Sequence, residues 1–140
     1  MSEYYPKIVP ELYVSDLGKS LKFYTEIAGF SVKYDRPAEG FAYLDNNGAH
    51  LMLEEIDNPS TDSPWITGEL KAPLGRGINF QIEVDDVDTI YQKAAEQNIL
   101  ITLPIEEKWY QTGDTEGGNR QFMLQDPDGY LLRFFTEIQK

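Results

Sequence analysis

The two halves of the sequence repeat one pattern of local elements. In each half an apolar segment leads into an acidic residue that can cap a helix, at residues 14–17 (VSDL) and 84–87 (VDDV). A turn closed by glycine follows later in each half, at residues 45–48 (DNNG) and 126–129 (DPDG). An internal repeat of this kind restricts the chain to a fold built from two similar units.

The first half is predicted to have the order βαβββ. The apolar run at residues 6–14 predicts a strand, and Ser15-Asp16 can cap the helix that follows. Apolar residues then recur at helical spacing as far as Gly29, which favours a left-handed end to the helix. Three further strands are predicted at residues 30–34, 41–44 and 49–54.

The second half is predicted to have the same order. Residues 58–77 are rich in Pro, Gly, Ser and Thr and predict the connection between the halves. A strand at 78–84, a helix capped by Asp86, and strands at 99–103, 119–125 and 130–136 are predicted after it. We therefore expect one α+β domain over residues 1–140, in which two βαβββ modules (6–57 and 78–137) form a curled mixed sheet with a cleft.

Composition narrows the chemistry and the partners. The chain has no cysteine, which excludes disulfides, thiolate metal sites and cysteine nucleophiles. Its net charge is -12, with 24 acidic against 12 basic residues, so nucleic acids and anionic membranes are poor partners and cationic small molecules better ones. The first residues, MSEYYPKIVPELYV, predict neither a signal peptide nor a membrane span, and a cytoplasmic location is expected.

Three segments, LYVSDLGKSLKFYTEIAGF, GINFQIEVDDVD and QDPDGYLLRF, resemble in sequence and order the glyoxalase, bleomycin resistance and dioxygenase superfamily, also called the vicinal oxygen chelate superfamily. The resemblance is to its bleomycin resistance branch, and it implies two βαβββ modules around a cleft. The superfamily includes isomerases, dioxygenases, thiol transferases and non-catalytic drug binders. In the drug binders two chains form a homodimer whose clefts combine halves of both subunits, so the resemblance also implies a homodimer.

The resemblance implies four positions for a metal site, which metal-dependent members fill with His or Glu on the first and fourth strands of each half. The corresponding residues here are Val9, Met52, Asn79 and Arg133. Valine and methionine offer no hard donor, asparagine offers one neutral oxygen, and a guanidinium repels cations. We therefore expect no metal, no other cofactor and no catalytic residue.

Strand alternation predicts which side chains face the cleft. It places Glu11 and Tyr13 there with Met52 and Glu54, and the loop aromatics Trp109 and Tyr110 are added as a possible wall. The predicted ligand-binding residues are Glu11, Tyr13, Met52, Glu54, Asn79, Gln81, Glu83, Trp109, Tyr110, Arg133 and Phe135. Carboxylates, amides and rings together suit an organic ligand that carries amines or amides.

Several residues have a second interpretation. His50 is favoured as an edge or surface residue over a general base, and Arg133 as a partner of Glu54, Glu83 or Glu11 over a binder of a ligand carboxylate. The aromatics Trp65, Trp109 and Tyr110 lie in irregular polar stretches, where ligand stacking and loop or dimer packing are equally favoured. The segments 75–77 (GRG), 117–118 (GG) and 126–129 are interpreted as turns.

The leading functional hypothesis is metal-free, bleomycin-resistance-like sequestration of a small cationic or amphipathic molecule, with a bleomycin-like compound as one candidate. Two alternatives stay open. One is a glyoxalase- or dioxygenase-like enzyme whose metal ligands are displaced, and the other is an accessory domain that binds a metabolite. A non-enzymatic role is preferred.

Overall fold

The computed structural model describes residues 5–56 and 63–139. The chain divides into two compact units, Met1–Leu74 and Gly75–Lys140, and each contains one helix and one four-stranded mixed sheet. The α+β class and the repeated βαβββ order are confirmed. Residue 57 of the first predicted module and residues 58–62 of the predicted connection lie outside the described residues.

The first unit forms its sheet in the order β1-β4-β3-β2, in which β1 and β4 are parallel. Its elements are β1 (Glu11–Val14), α1 (Leu17–Glu26), β2 (Ser31–Arg36), β3 (Phe41–Asn46) and β4 (Ala49–Glu55), with a short 3-10 turn at Pro37–Glu39. The first strand is shorter than the predicted 6–14, since Pro6 and Pro10 have no N–H to donate to a ladder.

Two carboxylates position the start of α1. Asp16 is the N-cap and accepts a hydrogen bond from the Lys19 backbone N–H at 3.1 Å. Glu55, at the end of β4, accepts one from the Leu17 backbone N–H at 2.8 Å. The helix buries Phe23 and Tyr24, and the ring of Tyr24 meets those of Phe23 and Phe30 edge-on. The helix is therefore tied to the sheet at its first turn and through its aromatic face.

The second unit repeats this arrangement, with the sheet order β5-β8-β7-β6. Its elements are β5 (Asn79–Glu83), α2 (Val87–Glu96), β6 (Ile101–Thr112), β7 (Thr115–Gln125) and β8 (Leu131–Ile138). Phe122 and Phe134 are fully buried and stack at 5.7 Å between centroids. Neither helix of the described residues is long and apolar enough to cross a membrane.

The hairpin of β6 and β7 is much longer than predicted. Trp109 and Tyr110 belong to β6 rather than to an irregular stretch, and Gly117-Gly118 belong to β7 rather than to a turn. The strand continues through Pro104 because β6 is an edge strand, where a missing N–H is tolerated, and because the register shifts between Leu103 and Glu106. The sequence pattern predicted shorter strands because much of this hairpin is exposed and therefore lacks the alternation of apolar and polar residues that indicates a strand.

The turn at residues 126–129 has the structural role that was expected. The Oδ1 atom of buried Asp126 accepts hydrogen bonds from the backbone N–H groups of Asp128 and Tyr130, both at 2.9 Å. Gly129 has a φ of 96°, which favours glycine. The carboxylate of Asp126 thus holds the chain as it enters β8.

Candidate functional site

One face of the first sheet gathers the predicted binding residues of the first unit. Strand register pairs Glu11 with Met52 and Tyr13 with Glu54, while Glu54 also lies opposite Phe41 of β3. Side chains at paired positions point to the same face of a sheet. Neighbouring positions on β1 and β4, among them Leu12 and Leu53, point to the buried face.

A pocket of about 450 Å³ opens on this face. Its lining consists of Glu11, Tyr13, Arg36, Glu39, Phe41, Glu54, Glu55, Ser63, Trp65 and Ile66. The volume falls within the range of about 300 to 1,000 Å³ that is usual for small-molecule sites. Three of the four predicted residues of this unit, Glu11, Tyr13 and Glu54, therefore line one pocket, while Met52 lies beside it on the same face.

The pocket has more carboxylates than its single guanidinium can neutralise. Arg36 donates through Nε to Glu39 at 2.5 Å, and its guanidinium lies 4.1 Å from the centroid of the Phe41 ring. The carboxylate of Glu55 already accepts a hydrogen bond from the Leu17 backbone N–H at the start of α1. Glu11 and Glu54 are left as the carboxylates that an incoming ligand meets.

The electrostatics of the pocket reflect this excess of negative charge. Partial burial raises the pKa of Glu11 above its usual 4.5, and the charge of Glu54 raises it further, against the opposite effect of Arg36. Burial likewise raises the pKa of the Tyr13 phenol, followed by the charges of Glu54 and Glu11 and by a hydrogen bond to Glu54. A bound cation would relieve the repulsion between the two carboxylates.

A second pocket, of about 310 Å³, lies on the equivalent face of the second sheet. It is lined by Gln81, Tyr110, Thr112, Gly117, Asn119 and Arg133. Three of the predicted residues of this unit, Gln81, Tyr110 and Arg133, line it. Asn79, Glu83 and Phe135 lie on the same face by register but outside the pocket lining.

The pairing expected for Arg133 within this unit is wrong. Its Nη2 donates to Oε1 of the Gln81 side-chain amide at 2.6 Å, and not to Glu83. The cause is the parallel register of β5 and β8, which sets Gln81 directly opposite Arg133 and Glu83 opposite Phe135. The guanidinium is thus held by a neutral amide.

The two neighbouring aromatics of β6 point to opposite faces of the sheet. Tyr110 lies in the second pocket, and its hydroxyl accepts a hydrogen bond from the side-chain Nε2 of Gln121 at 2.9 Å; Gln121 is 2% exposed. Trp109 pairs with Gly118, and its ring lies so close that a Cβ on Gly118 would come within 2.4 Å of it. Trp109 therefore does not share a wall with Tyr110. Trp65 belongs to the first pocket and is 76% exposed.

The edge or surface role expected for His50 is wrong. The side chain is buried, with its Nδ1 atom 2.7 Å from the Tyr43 hydroxyl and its Nε2 atom 3.1 Å from Oδ1 of Asp45. The two-strand turn at residues 45–48 places Asp45 and His50 opposite each other in the β3–β4 register, and the sequence analysis did not use this spacing to predict their contact.

The residues at the positions of the superfamily's metal ligands do not fit a metal. Val9, Met52, Asn79 and Arg133 lack the anionic or imidazole donors that divalent cations require. Within residues 5–56 and 63–139, no three His, Asp or Glu side chains converge as a metal-binding group. We therefore derive no chemical step through a metal.

The chain has two βαβββ units, and each has a polar pocket on one face of its sheet. This architecture defines a class of small-molecule-binding proteins and enzymes built from paired βαβββ modules. The model of the Glyoxalase/Bleomycin resistance protein/Dioxygenase superfamily matches residues 8–134. The chain belongs to this superfamily.

Named relatives agree with that assignment, and a solved structure shares the fold. Proteins named bleomycin resistance protein from Geobacillus stearothermophilus and Staphylococcus aureus are each 31% identical over 137 residues, which cover 94% of this chain and 96% of the relative. The crystal structure of TioX from Micromonospora sp. ML1 is similar in fold, with a TM-score of 0.70 at 23% identity, covering 94% of this chain and 98% of TioX.

Proposed function

We propose that the protein binds and sequesters a small cationic or amphipathic molecule in the first-unit pocket, without a metal and without covalent chemistry. The observation that carries this proposal is the pair Glu11 and Glu54, two carboxylates on one face, where burial and then the charge of Glu54 raise the pKa of Glu11. Arg36, the guanidinium of this pocket, is engaged by Glu39. A ligand cation supplies the charge that Glu11 and Glu54 lack.

Aromatic side chains add a flat apolar surface to this charge. Tyr13 and Trp65 line the same pocket as the carboxylates, whereas the Phe41 ring is 4% exposed and already lies beneath the Arg36 guanidinium. A cation over an aromatic ring gains roughly 0.5 to 2 kcal/mol, and the higher value applies when the cation is desolvated. A heteroaromatic cation can satisfy both parts of the pocket at once. The relatives named bleomycin resistance protein support the choice of bleomycin as one probe.

The test is calorimetry with ligands matched in shape and opposite in charge. We would titrate the protein with metal-free bleomycin, with 9-aminoacridine and with acridine-9-carboxylate. The proposal expects the two cationic compounds to bind and the carboxylate to bind at least about 10-fold more weakly, since one charged contact contributes roughly 1.5 to 3 kcal/mol. Equal affinity for the two acridines would refute it.

Substitutions then locate the site. Glu54→Gln removes one carboxylate of the pocket and should weaken 9-aminoacridine binding by about 10-fold. Glu26→Gln, at an exposed position at the end of α1, removes the same charge from the molecule outside the pocket and serves as the matched control. If both variants lose affinity equally, the effect belongs to the net charge of -12 and not to a built site.

We further propose that the protein is a homodimer. The support is the edge strand β2, which carries Val32 and Tyr34, each 41% exposed, beside an open row of backbone groups. Analytical ultracentrifugation at micromolar concentration should find two chains, and Val32→Lys should shift the equilibrium toward one chain. A wild-type protein that sediments as a monomer would contradict this proposal and leave the ligand proposal standing.

A further inference from the structure

The second-unit pocket has the opposite chemistry to the first. Its lining in the described residues contains no Asp or Glu, and Arg133 is its charged side chain. The other members are amides, hydroxyls and a glycine. An acidic protein thus presents a local site in which the fixed charge is positive.

Arg133 is incompletely satisfied inside the unit. A guanidinium carries five N–H donors, and within the described residues the acceptor for its side chain is Oε1 of the Gln81 side-chain amide. Its Nε is buried and donates to no group in the described part of the chain. Because Nε is enclosed by the protein, a ligand in the pocket reaches the guanidinium through its Nη atoms, where an acceptor forms a charge-assisted hydrogen bond.

The carboxylates on the same sheet face do not supply that acceptor. Glu106 accepts a hydrogen bond from Nε2 of Gln121 at 2.9 Å, and Glu83 and Glu137 lie opposite Phe135 and Asn119 in register. None of the three lines the pocket.

We propose that this pocket binds the carboxylate group of a small organic acid, with Arg133 as the charged anchor. The planar guanidinium matches a planar carboxylate, and the hydroxyl of Tyr110 and the amide of Asn119 lie in the same lining. A phosphate dianion is usually held by several cations or by a row of backbone N–H groups, and the pocket offers a single guanidinium among neutral groups. The lining of this pocket comes from the second unit alone, and the proposal does not depend on the function proposed for the first-unit pocket.

The experiment observes the Arg133 Nε–H directly. The ¹⁵N-labelled full-length protein would be titrated with benzoate, with its neutral counterpart benzamide and with inorganic phosphate, while the side-chain Nε–H signals are followed by NMR. The signal that disappears in Arg133→Gln identifies the group. Benzoate should shift it in a saturable manner, while benzamide and phosphate should leave it in place.

Two variants separate the site from general charge effects. Arg133→Gln should weaken benzoate binding by about 10-fold or more, while Arg76→Gln, an exposed arginine of the same unit, should not. Gln81→Glu keeps the guanidinium and gives it an internal carboxylate, so it should weaken benzoate binding as strongly in a protein that remains folded. The proposal is overturned if benzamide binds as well as benzoate, if phosphate binds more tightly, or if Gln81→Glu retains full affinity.

Discussion

The Nδ1 atom of His50 lies 2.7 Å from the hydroxyl oxygen of Tyr43 on the neighbouring strand. Asp45 lies on the other side of the ring, 3.1 Å from Nε2. A neutral imidazole with its proton on Nε2 satisfies both contacts, since it can donate to Asp45 while Nδ1 accepts from Tyr43. The trio of buried Tyr43 and His50 with partly exposed Asp45 joins β3 and β4 beside the turn at residues 45–48.

Removal of the Tyr43 hydroxyl should therefore destabilise the protein. Tyr43→Phe leaves Nδ1 of buried His50 without its donor, at an expected cost of roughly 1 to 3 kcal/mol in the free energy of unfolding by urea. The control is Tyr34→Phe, because Tyr34 stacks on Tyr43 with centroids 5.1 Å apart but is much more exposed. Its expected change is within about 0.5 kcal/mol. Similar losses in both variants would show that the contact to His50 contributes nothing.

Glu11 should lower the stability of the protein at neutral pH. Its pKa is raised in the folded state above the usual 4.5, first by burial and then by Glu54. The folded state thus holds the proton more tightly than the unfolded chain, so the contribution of Glu11 to stability is fully present below about pH 4.5 and is lost as the pH rises through the raised pKa.

Glu11→Gln should accordingly raise the midpoint of thermal unfolding at pH 7 and leave it nearly unchanged at pH 4. The same variant should bind 9-aminoacridine more weakly, because it lacks the Glu11 carboxylate. In the wild-type protein this charge lowers stability but contributes to binding. Glu26→Gln, whose exposed carboxylate lies on α1, should show no such difference between the two pH values. A Glu11→Gln protein that is less stable at pH 7 would contradict the expected sign.

The two tryptophans should affect different properties. Trp109 covers Gly118 across the hairpin, so Trp109→Ala should lower the free energy of unfolding by roughly 1 to 3 kcal/mol and leave the 9-aminoacridine affinity unchanged. Trp65 is largely exposed in the first pocket, so Trp65→Ala should leave stability within about 0.5 kcal/mol and reduce affinity. Loss of affinity in Trp109→Ala without loss of stability would reverse these assignments.

Local patterns in the sequence were sufficient to predict the order of elements and three of the residues that line the first pocket, Glu11, Tyr13 and Glu54. The period of two along a strand put Glu11 and Tyr13 on one face and Leu12 on the other, and this depends on neighbouring residues alone. The caps Asp16 and Asp86 were likewise recognisable, since each accepts from a backbone N–H three residues later.

Contacts set by pairing between distant strands could not be predicted in this way. The partner of Arg133 depends on the β5–β8 register, which joins residues about 50 positions apart and brings Gln81 opposite it instead of Glu83. The opposite orientation of Trp109 and Tyr110 required the knowledge that β6 continues past Pro104. Trp65 lines the first pocket from a segment that has neither helical nor strand periodicity. No local pattern could therefore predict where its side chain lies.

The last prediction concerns metals. The donors at the four positions that metal-dependent members of the superfamily use are a valine, a methionine, an asparagine and an arginine, at Val9, Met52, Asn79 and Arg133. A site of this composition gives a divalent cation no anionic or imidazole ligand, so the free energy of unfolding should not depend on metal binding. Thermal unfolding should be the same after EDTA treatment and after addition of Ni²⁺, Zn²⁺ or Mn²⁺, and elemental analysis of the purified protein should find less than one metal per chain. Because His50 is the one imidazole of the chain, His50→Gln serves as the control for weak binding outside these positions. A stoichiometric metal that persists in His50→Gln, and whose removal lowers the unfolding temperature, would contradict the proposal of metal-free sequestration and favour the enzymatic alternative.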